Sequence, residues 1–308
     1  MSDGGHQSSV YPVCDYEGSQ YQSEFWDSGG REYEDLVERI ALRRLLPETG
    51  RLFLEIGAGA GRLTTELGRF ERVVLMDYSL TQLQQAQERL GRSKRLIFVA
   101  ADIYHLPFVR GIFDGAAMVR TVHHLVDVPT ALQGIRAVLK PNGAFVLEYA
   151  NKQNAKAILR YWLHQQEWSP FTREQIEFAK LNFNLHPKTV REWLRKTGFR
   201  VSQQRTVSHF RLRLLTRLLP TALLAVADAA LQITGNYCQF TPSVFLRANA
   251  DYSGRTASPG ALFQCPHCKH NDLSYQDNYL ACQKCSRLWM MRDGIYDFRE
   301  PVETTETT

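Results

Sequence analysis

Between residues 51 and 150 the chain alternates between short apolar runs and helical stretches through five strands, and few folds accept that rhythm. "RLFLEIG" predicts a buried strand, "GRLTTELGRF" a helix and "RVVLMD" a strand. "SLTQLQQAQERLG" predicts a helix capped by Ser79 and stopped by Gly91. "RLIFVAAD" and "FDGAAMVRT" predict two more strands, with room for a short helix between them. "VPTALQGIRAVLKPNG" reads as a helix closed by a Pro-Asn-Gly turn, and "AFVLEYA" as the fifth strand. Such alternation dictates an α/β fold, a parallel sheet with helices on both faces. Ahead of it, apolar residues at 33, 36, 37, 40, 42, 45 and 46 predict a helix over 31–46, ended by Pro47.

The turn after the first strand, "EIGAGAG", carries Gly57, Gly59 and Gly61. A dinucleotide fingerprint wants G-x-G-x-x-G, but the sixth position here is Arg62; a P-loop wants a closing Gly-Lys-Ser/Thr, which is absent. The turn is open yet offers no lysine for a triphosphate, so a ligand without phosphates fits better. Asp77 ends the second strand, where a carboxylate can take both hydroxyls of a ribose. Asp102 ends the third strand, where a carboxylate can accept from an adenine amino group. Glu55, just before the turn, can meet a ligand's ammonium directly or through water. A single acid of this kind is most simply a helix cap or surface charge. Three at successive strand ends point to a ligand, because strand carboxyl ends are where such sheets bind.

These motifs resemble class I S-adenosylmethionine-dependent methyltransferases, close to the branch that includes quinone-biosynthesis enzymes. "EIGAGAG" is similar to the family's first motif, "MDYS" to its ribose acid and "AADIYHLPF" to its adenine-side loop. "FDGAAMVRTVHHL" is similar to its fourth-strand segment and "LKPNGAFVLEY" to its fifth strand. The resemblance implies a Rossmann-like seven-stranded sheet whose seventh strand is antiparallel, with "RVSQQRTVSHF" and "SVFLRANA" as the last two strands. It implies that Gly57, Gly59, Asp77, Tyr78, Asp102 and Ile103 line the cofactor pocket, with Arg120 at its methionine end. A methyl sulfonium is already activated, so such an enzyme chiefly aligns an acceptor and excludes water; a general base is optional. His123 and His124, after the fourth strand, are the best placed bases, although each also reads as a packed or turn-capping histidine. The aromatics Tyr16, Tyr21, Trp26 and Tyr33 either close over the cofactor or pack an N-terminal helix.

Near the C-terminus, "CPHCKHNDLSYQDNYLACQKC" sets two C-x2-C pairs thirteen residues apart. Cys265, Cys268, Cys282 and Cys285 can each aim a thiolate at one point and complete a tetrahedral structural zinc site. A redox dithiol is the competing reading, which two paired units disfavour. His267 and His270 then stay outside a full shell. With "SRLWMMRDGIYDF" after it, the module resembles the small zinc-ribbon partner that activates several tRNA and protein methyltransferases. That resemblance implies a ribbon docked on the methyltransferase domain; zinc ribbons also bind nucleic acids.

The expected organisation is an N-terminal segment and cap helix (1–50) and a methyltransferase domain (51–250) with a helical insertion at about 212–234. A linker (251–260), a zinc ribbon (261–299) and a disordered acidic tail (300–308) follow. Cys14 and Cys238 stand alone and read as buried small hydrophobes. No secretory leader is evident, and "LRLLTRLLPTALLAVADAALQIT" is broken by Arg213, Arg217, Pro220 and Asp228, so the expectation is a soluble, cytoplasmic protein. Residues 151–220 hold fourteen Lys and Arg against four Glu, either a solvated face or a footprint for RNA or a lipid surface. The favoured activity is methyl transfer to a small or lipid-like acceptor, with membrane-surface contact through the arginine- and leucine-rich insertion. The alternatives are a tRNA or protein methyltransferase with a fused activator, or a non-catalytic adaptor of the same fold.

Overall fold

The computed structural model describes residues 11–14, 16–19, 26, 30–254, 256–257, 260 and 262–302. The chain opens with α1 (Glu32–Leu45) and then builds β1 (Gly50–Ile56), β2 (Phe70–Asp77), α2 (Leu80–Leu90), β3 (Leu96–Ala100), β4 (Phe113–Met118), α3 (Val128–Val138) and β5 (Leu139–Ala150). Strands β3, β2, β1, β4 and β5 lie side by side in that order, all parallel. Alternate strand residues face opposite layers. Phe53, Val73 and Leu75 join one core with Val37, Leu42 and Leu45 of α1 and Leu83 of α2. Leu54, Val74 and Met76 join the other with Ala131, Leu132 and Ile135 of α3.

The rest of the sheet comes from later in the chain. After α4 (Ala155–Trp162), a hairpin of β6 (Ile176–Ala179) and β7 (Asn182–Asn184), and α5 (Pro187–Lys196), the chain adds β8 (Phe199–Val207). The insertion follows as α6 (Arg213–Leu218) and α7 (Thr221–Leu231), and β9 (Ser243–Ala250) slides antiparallel between β5 and β8. The expected antiparallel strand is therefore β9, and "RVSQQRTVSHF" supplies the edge strand. Asp228 of α7 is fully buried and pins the insertion to α1, accepting from the Tyr33 hydroxyl at 2.7 Å and from His209 N–H at 2.8 Å.

The ribbon is not a separate body of sheet. Its strands β10 (Leu273–Gln276), β11 (Tyr279–Cys282), β12 (Leu288–Arg292) and β13 (Ile295–Val302) form an antiparallel meander, and β13 then pairs parallel with β3. Eleven strands make one sheet. The expected seven strands and small module thus share a hydrogen-bonded seam, which also covers what would be an open edge at β3. Residues 300–302, expected in a disordered tail, belong to β13; residues 303–308 lie outside the described residues.

Two other expectations differ. "GRLTTELGRF" forms only a 3-10 turn, Thr64–Leu67. The preceding turn runs on through Gly61 at φ +72°, and the few residues left before Gly68 cannot repay the cost of nucleating an α-helix. Cys238 is exposed and Cys14 half-buried, rather than both packed inside. Among the described residues no helix is long and apolar enough to cross a membrane.

Candidate active site

The glycine turn leaves β1 and doubles back over β2. Gly57 sits at φ +66°, and a Cβ there would fall 2.0 Å from Thr121 Oγ1, so only glycine lets the turn approach the end of β4. The Gly57 and Ala58 N–H groups both donate to Met76 O, at 2.8 and 3.0 Å, and Gly59 N–H donates to Asp77 Oδ2 at 2.8 Å. These amides are satisfied within the protein, so they do not form a cradle for a diphosphate. Asp77 also accepts from Ser79 N–H at 3.0 Å, and Asp102 accepts from Tyr104 N–H at 3.0 Å; both carboxylates are oriented by backbone at their strand ends. Glu55 is buried, and burial pushes its carboxyl up to about 7 although the Thr64 hydroxyl donates to it at 2.6 Å. A carboxyl poised there ionises readily when a cation arrives.

These groups share one cavity. Glu55, Gly57, Gly59, Asp77, Tyr78, Asp102, Ile103, Arg120 and His124 all line it, while Gly61 and His123 do not. Gly61 instead packs on α2, where a Cβ would meet Leu90 Cδ1 at 2.6 Å. Tyr16 and Trp26 line the cavity too, whereas Tyr33 is committed to Asp228; Tyr21 lies outside the described residues.

At one end of the cavity is a charge cluster that sequence reasoning missed. Glu38 of α1 is fully buried between Arg62, whose Nη2 donates to it at 2.8 Å, and Arg120, whose Nε donates at 2.9 Å. Burial alone would raise Glu38, but the Arg120 and Arg62 charges hold it below the usual carboxylate range. Trp26 lies against both guanidinium groups, 3.6 and 4.8 Å from its ring centroid. Arg120 itself stands in the left-handed region at φ 56°, with its N–H donated to buried Glu148 of β5 at 2.9 Å. The sole sequence signal for Glu38 was an acid at a helix position that packs inward.

The two histidines differ. His124 Nδ1 lies 2.9 Å from Leu181 O, in the hairpin between β6 and β7. A carbonyl only accepts, so Nδ1 carries the proton and Nε2 presents a lone pair, which takes the Tyr16 hydroxyl at 3.3 Å. Burial lowers the basicity of His124, so it stays neutral and able to accept a proton at neutral pH. His123 is held neutral more strongly by burial, and its Nδ1 is buried with no hydrogen-bond partner among the described residues.

The four cysteines of the C-terminal module converge. Their sulfurs lie within 4.8 Å of one another, with Cys265 to Cys285 at 3.7 Å and Cys268 to Cys282 at 3.4 Å. Tetrahedral zinc–thiolate bonds of about 2.3 Å set sulfurs about 3.8 Å apart, so the donor set fits such an ion. His267 and His270 are exposed outside it. From β13, Arg299 reaches the cavity wall: its Nη1 donates to Tyr78 O at 3.3 Å and pairs with Glu17 at 3.4 Å. Glu17 in turn caps α2, accepting from Leu80 N–H at 2.9 Å and Thr81 N–H at 3.1 Å.

Comparison with known proteins agrees with this geometry. Residues 54–147 match the family described as "Methyltransferase domain". The chain is 34% identical to the O-methyltransferase cnsE of Penicillium expansum over 37% of its own length and 43% of that protein's, so it spans under half of that relative. It is 26% identical to the 2-phytyl-1,4-naphtoquinone methyltransferase of Nostoc punctiforme, over 46% of this chain and 76% of that protein. Among solved structures, a chain of the Haloferax volcanii complex that contains the Trm112 methyltransferase activator shares the fold (TM-score 0.54, 18% identity, 75% of this chain and 96% of that one). So does a SAM-dependent methyltransferase of Thermotoga maritima (TM-score 0.51, 21% identity, 75% and 95%). Residues 54–147 therefore match a methyltransferase domain, and the chain shares the fold of solved S-adenosylmethionine-dependent methyltransferases.

Proposed function

We propose that the protein transfers a methyl group from S-adenosylmethionine to a small or lipid-like acceptor. Asp77 would take the ribose hydroxyls, Asp102 the adenine amino group and Glu55 the ammonium of the methionine end. The bound cofactor supplies a methyl group on a positively charged sulfur, already activated for attack. The protein's residues then orient the acceptor, exclude water and receive its proton. His124 Nε2 is the acceptor for that proton, because its tautomer is set by Leu181 O and its ring is neutral. The carrying observation is the conjunction of three strand-end acids with a turn whose amides are already satisfied. Leu42, Leu63, Leu67 and Leu125 in the same cavity support an apolar acceptor, as do the O-methyltransferase and naphtoquinone methyltransferase names among the relatives.

The four cysteines take a structural zinc in this reading, and the ribbon acts in cis. It resembles the separate activator of other methyltransferases, and it reaches the cofactor wall through Arg299. Labelled S-adenosylmethionine, incubated with the protein and cell extract fractionated into lipid, small-molecule, RNA and protein pools, tests the acceptor. Label is expected in the lipid or small-molecule pool. The basic excess in 151–220 supports a second reading, an RNA acceptor. Label confined to RNA, with tRNA affinity falling steeply with salt, would put that reading in place of the first.

A further inference from the structure

The insertion presents an apolar surface that the fold does not use. The inner face of α7 buries Leu224, Ala225 and Asp228 against α1, while Leu223 (56% exposed) and Val226 (69%) stand in water on its other side, as does Ile233 (56%) in the turn that follows. A helix that is apolar all round belongs inside something. Leu214 and Leu218 of α6, 68% and 70% exposed, continue the patch. Single exposed leucines are ordinary, but a run of them on two consecutive helices is not. At the end of α4, Leu159, Trp162 and the following Leu163 are exposed in the same way. The start of α4 is tied to the segment that leaves the insertion, where Ala155 N–H donates to Phe240 O and the Asn151 amide donates to Gln239 O and Thr241 O.

The charge carried by the insertion itself is mostly of one sign, with Arg211 paired to Glu34 of α1 at 3.1 Å. Residues 205–240 contain four arginines and a single acid, Asp228, which is buried. Lys156 and Arg160 flank the α4 residues and Arg217 lies between Leu214 and Leu218; all three are exposed. A protein partner would answer arginines with localised acids, whereas apolar residues interleaved with cations over two short helices match an anionic bilayer surface. Neither helix is long enough to span: α7, with 11 residues, is about 16 Å long.

We propose that α6, α7 and the end of α4 dock the protein on an anionic lipid surface, lying in the headgroup region with the leucines and Trp162 inserted. This goes beyond the proposed reaction and does not depend on it, although it would deliver a lipid-like acceptor to the cavity. The test is flotation of the full chain with vesicles of phosphatidylcholine alone or mixed with phosphatidylglycerol, without cofactor or acceptor. Association is expected to be at least tenfold stronger with the anionic vesicles and to weaken with salt. The Leu218→Glu/Val226→Glu pair should reduce it tenfold or more while circular dichroism and thermal melting stay unchanged. Leu218→Ser/Val226→Ser serves if the acidic pair unfolds. No association, association indifferent to lipid charge, or association that survives the substitutions overturns the proposal. So does a dimer in vesicle-free solution that the same substitutions split, which would make the patch a contact between two copies.

Discussion

The wall of the pocket proposed to hold the cofactor and the wall proposed to face the acceptor differ in where their residues come from. On the proposed cofactor side, Glu55, Asp77 and Asp102 lie at or just beyond the carboxyl ends of three neighbouring parallel strands, and the turn after the first has its amides bonded to Met76 O and the Asp77 carboxylate of the second. On the proposed acceptor side, His124 takes its tautomer from Leu181 and meets the Tyr16 hydroxyl; between the two walls, Arg120 is held by Glu38 of α1. The first wall is fixed by local chain geometry. The second is assembled from segments far apart in sequence and can be rebuilt without touching the sheet, which is how one fold serves many acceptors.

If that contrast is right, damage to the two walls should read out differently. The largest effect falls at their junction. Glu38→Gln leaves two buried guanidinium groups short of a charge and should cost about 3–5 kcal/mol in urea unfolding. Because the folded protein holds Glu38 below its usual range, its contribution is present above about pH 4.5 and lost as pH falls through the lowered value. A loss under about 1 kcal/mol would mean the cluster is not a structural keystone. His124→Phe should lower kcat/KM about a hundredfold with cofactor affinity intact. The acid limb of the wild-type pH–rate profile should lie below the ordinary histidine value, since burial lowers His124.

Cofactor affinity should change with pH in the opposite sense to stability. Glu55 titrates at about 7 in the folded protein, so its neutral form stabilises the fold below the ordinary carboxylate range and that contribution fades as pH rises through about 7. A cationic ligand needs the ionised form, so affinity should be about tenfold weaker at pH 6 than at pH 8, and flat in Glu55→Gln. The smallest effect tests the ribbon. Arg299→Ala should weaken cofactor binding severalfold with turnover at saturation unchanged, because the Tyr78 carbonyl and the Glu17 cap lose a partner, as does buried Asp297 on the same strand. A chelator that strips the ribbon should give the same loss, and no change in either case would reduce the ribbon to an edge cover.

What the sequence disclosed follows from the same contrast. The five parallel strands, the G-x-G-x-G turn and the acids at 55, 77 and 102 were legible because periodicity and turn chemistry act within a few residues. The pairing of Glu38 with Arg120, 82 positions apart, and the grip of Leu181 on His124, 57 apart, leave no local pattern. The seam between β13 and β3 was hidden for the same reason: "IYDFREPV" looks like the end of a small module until its partner strand is known. His123 and His124 are adjacent and chemically identical in sequence, and only burial and the Leu181 carbonyl tell them apart.

The central claim is that the turn after β1 holds a nucleoside with an amino-acid arm and no diphosphate. Titration calorimetry of the full chain with S-adenosylmethionine, its demethylated product, NAD and ATP tests it most directly. Micromolar binding of the first two is expected, absent for NAD and ATP, and weakened about a hundredfold in Asp77→Ala, where two charge-assisted contacts of about 1.5 kcal/mol each are removed. Binding of NAD or ATP instead, or S-adenosylmethionine binding indifferent to Asp77, would contradict it.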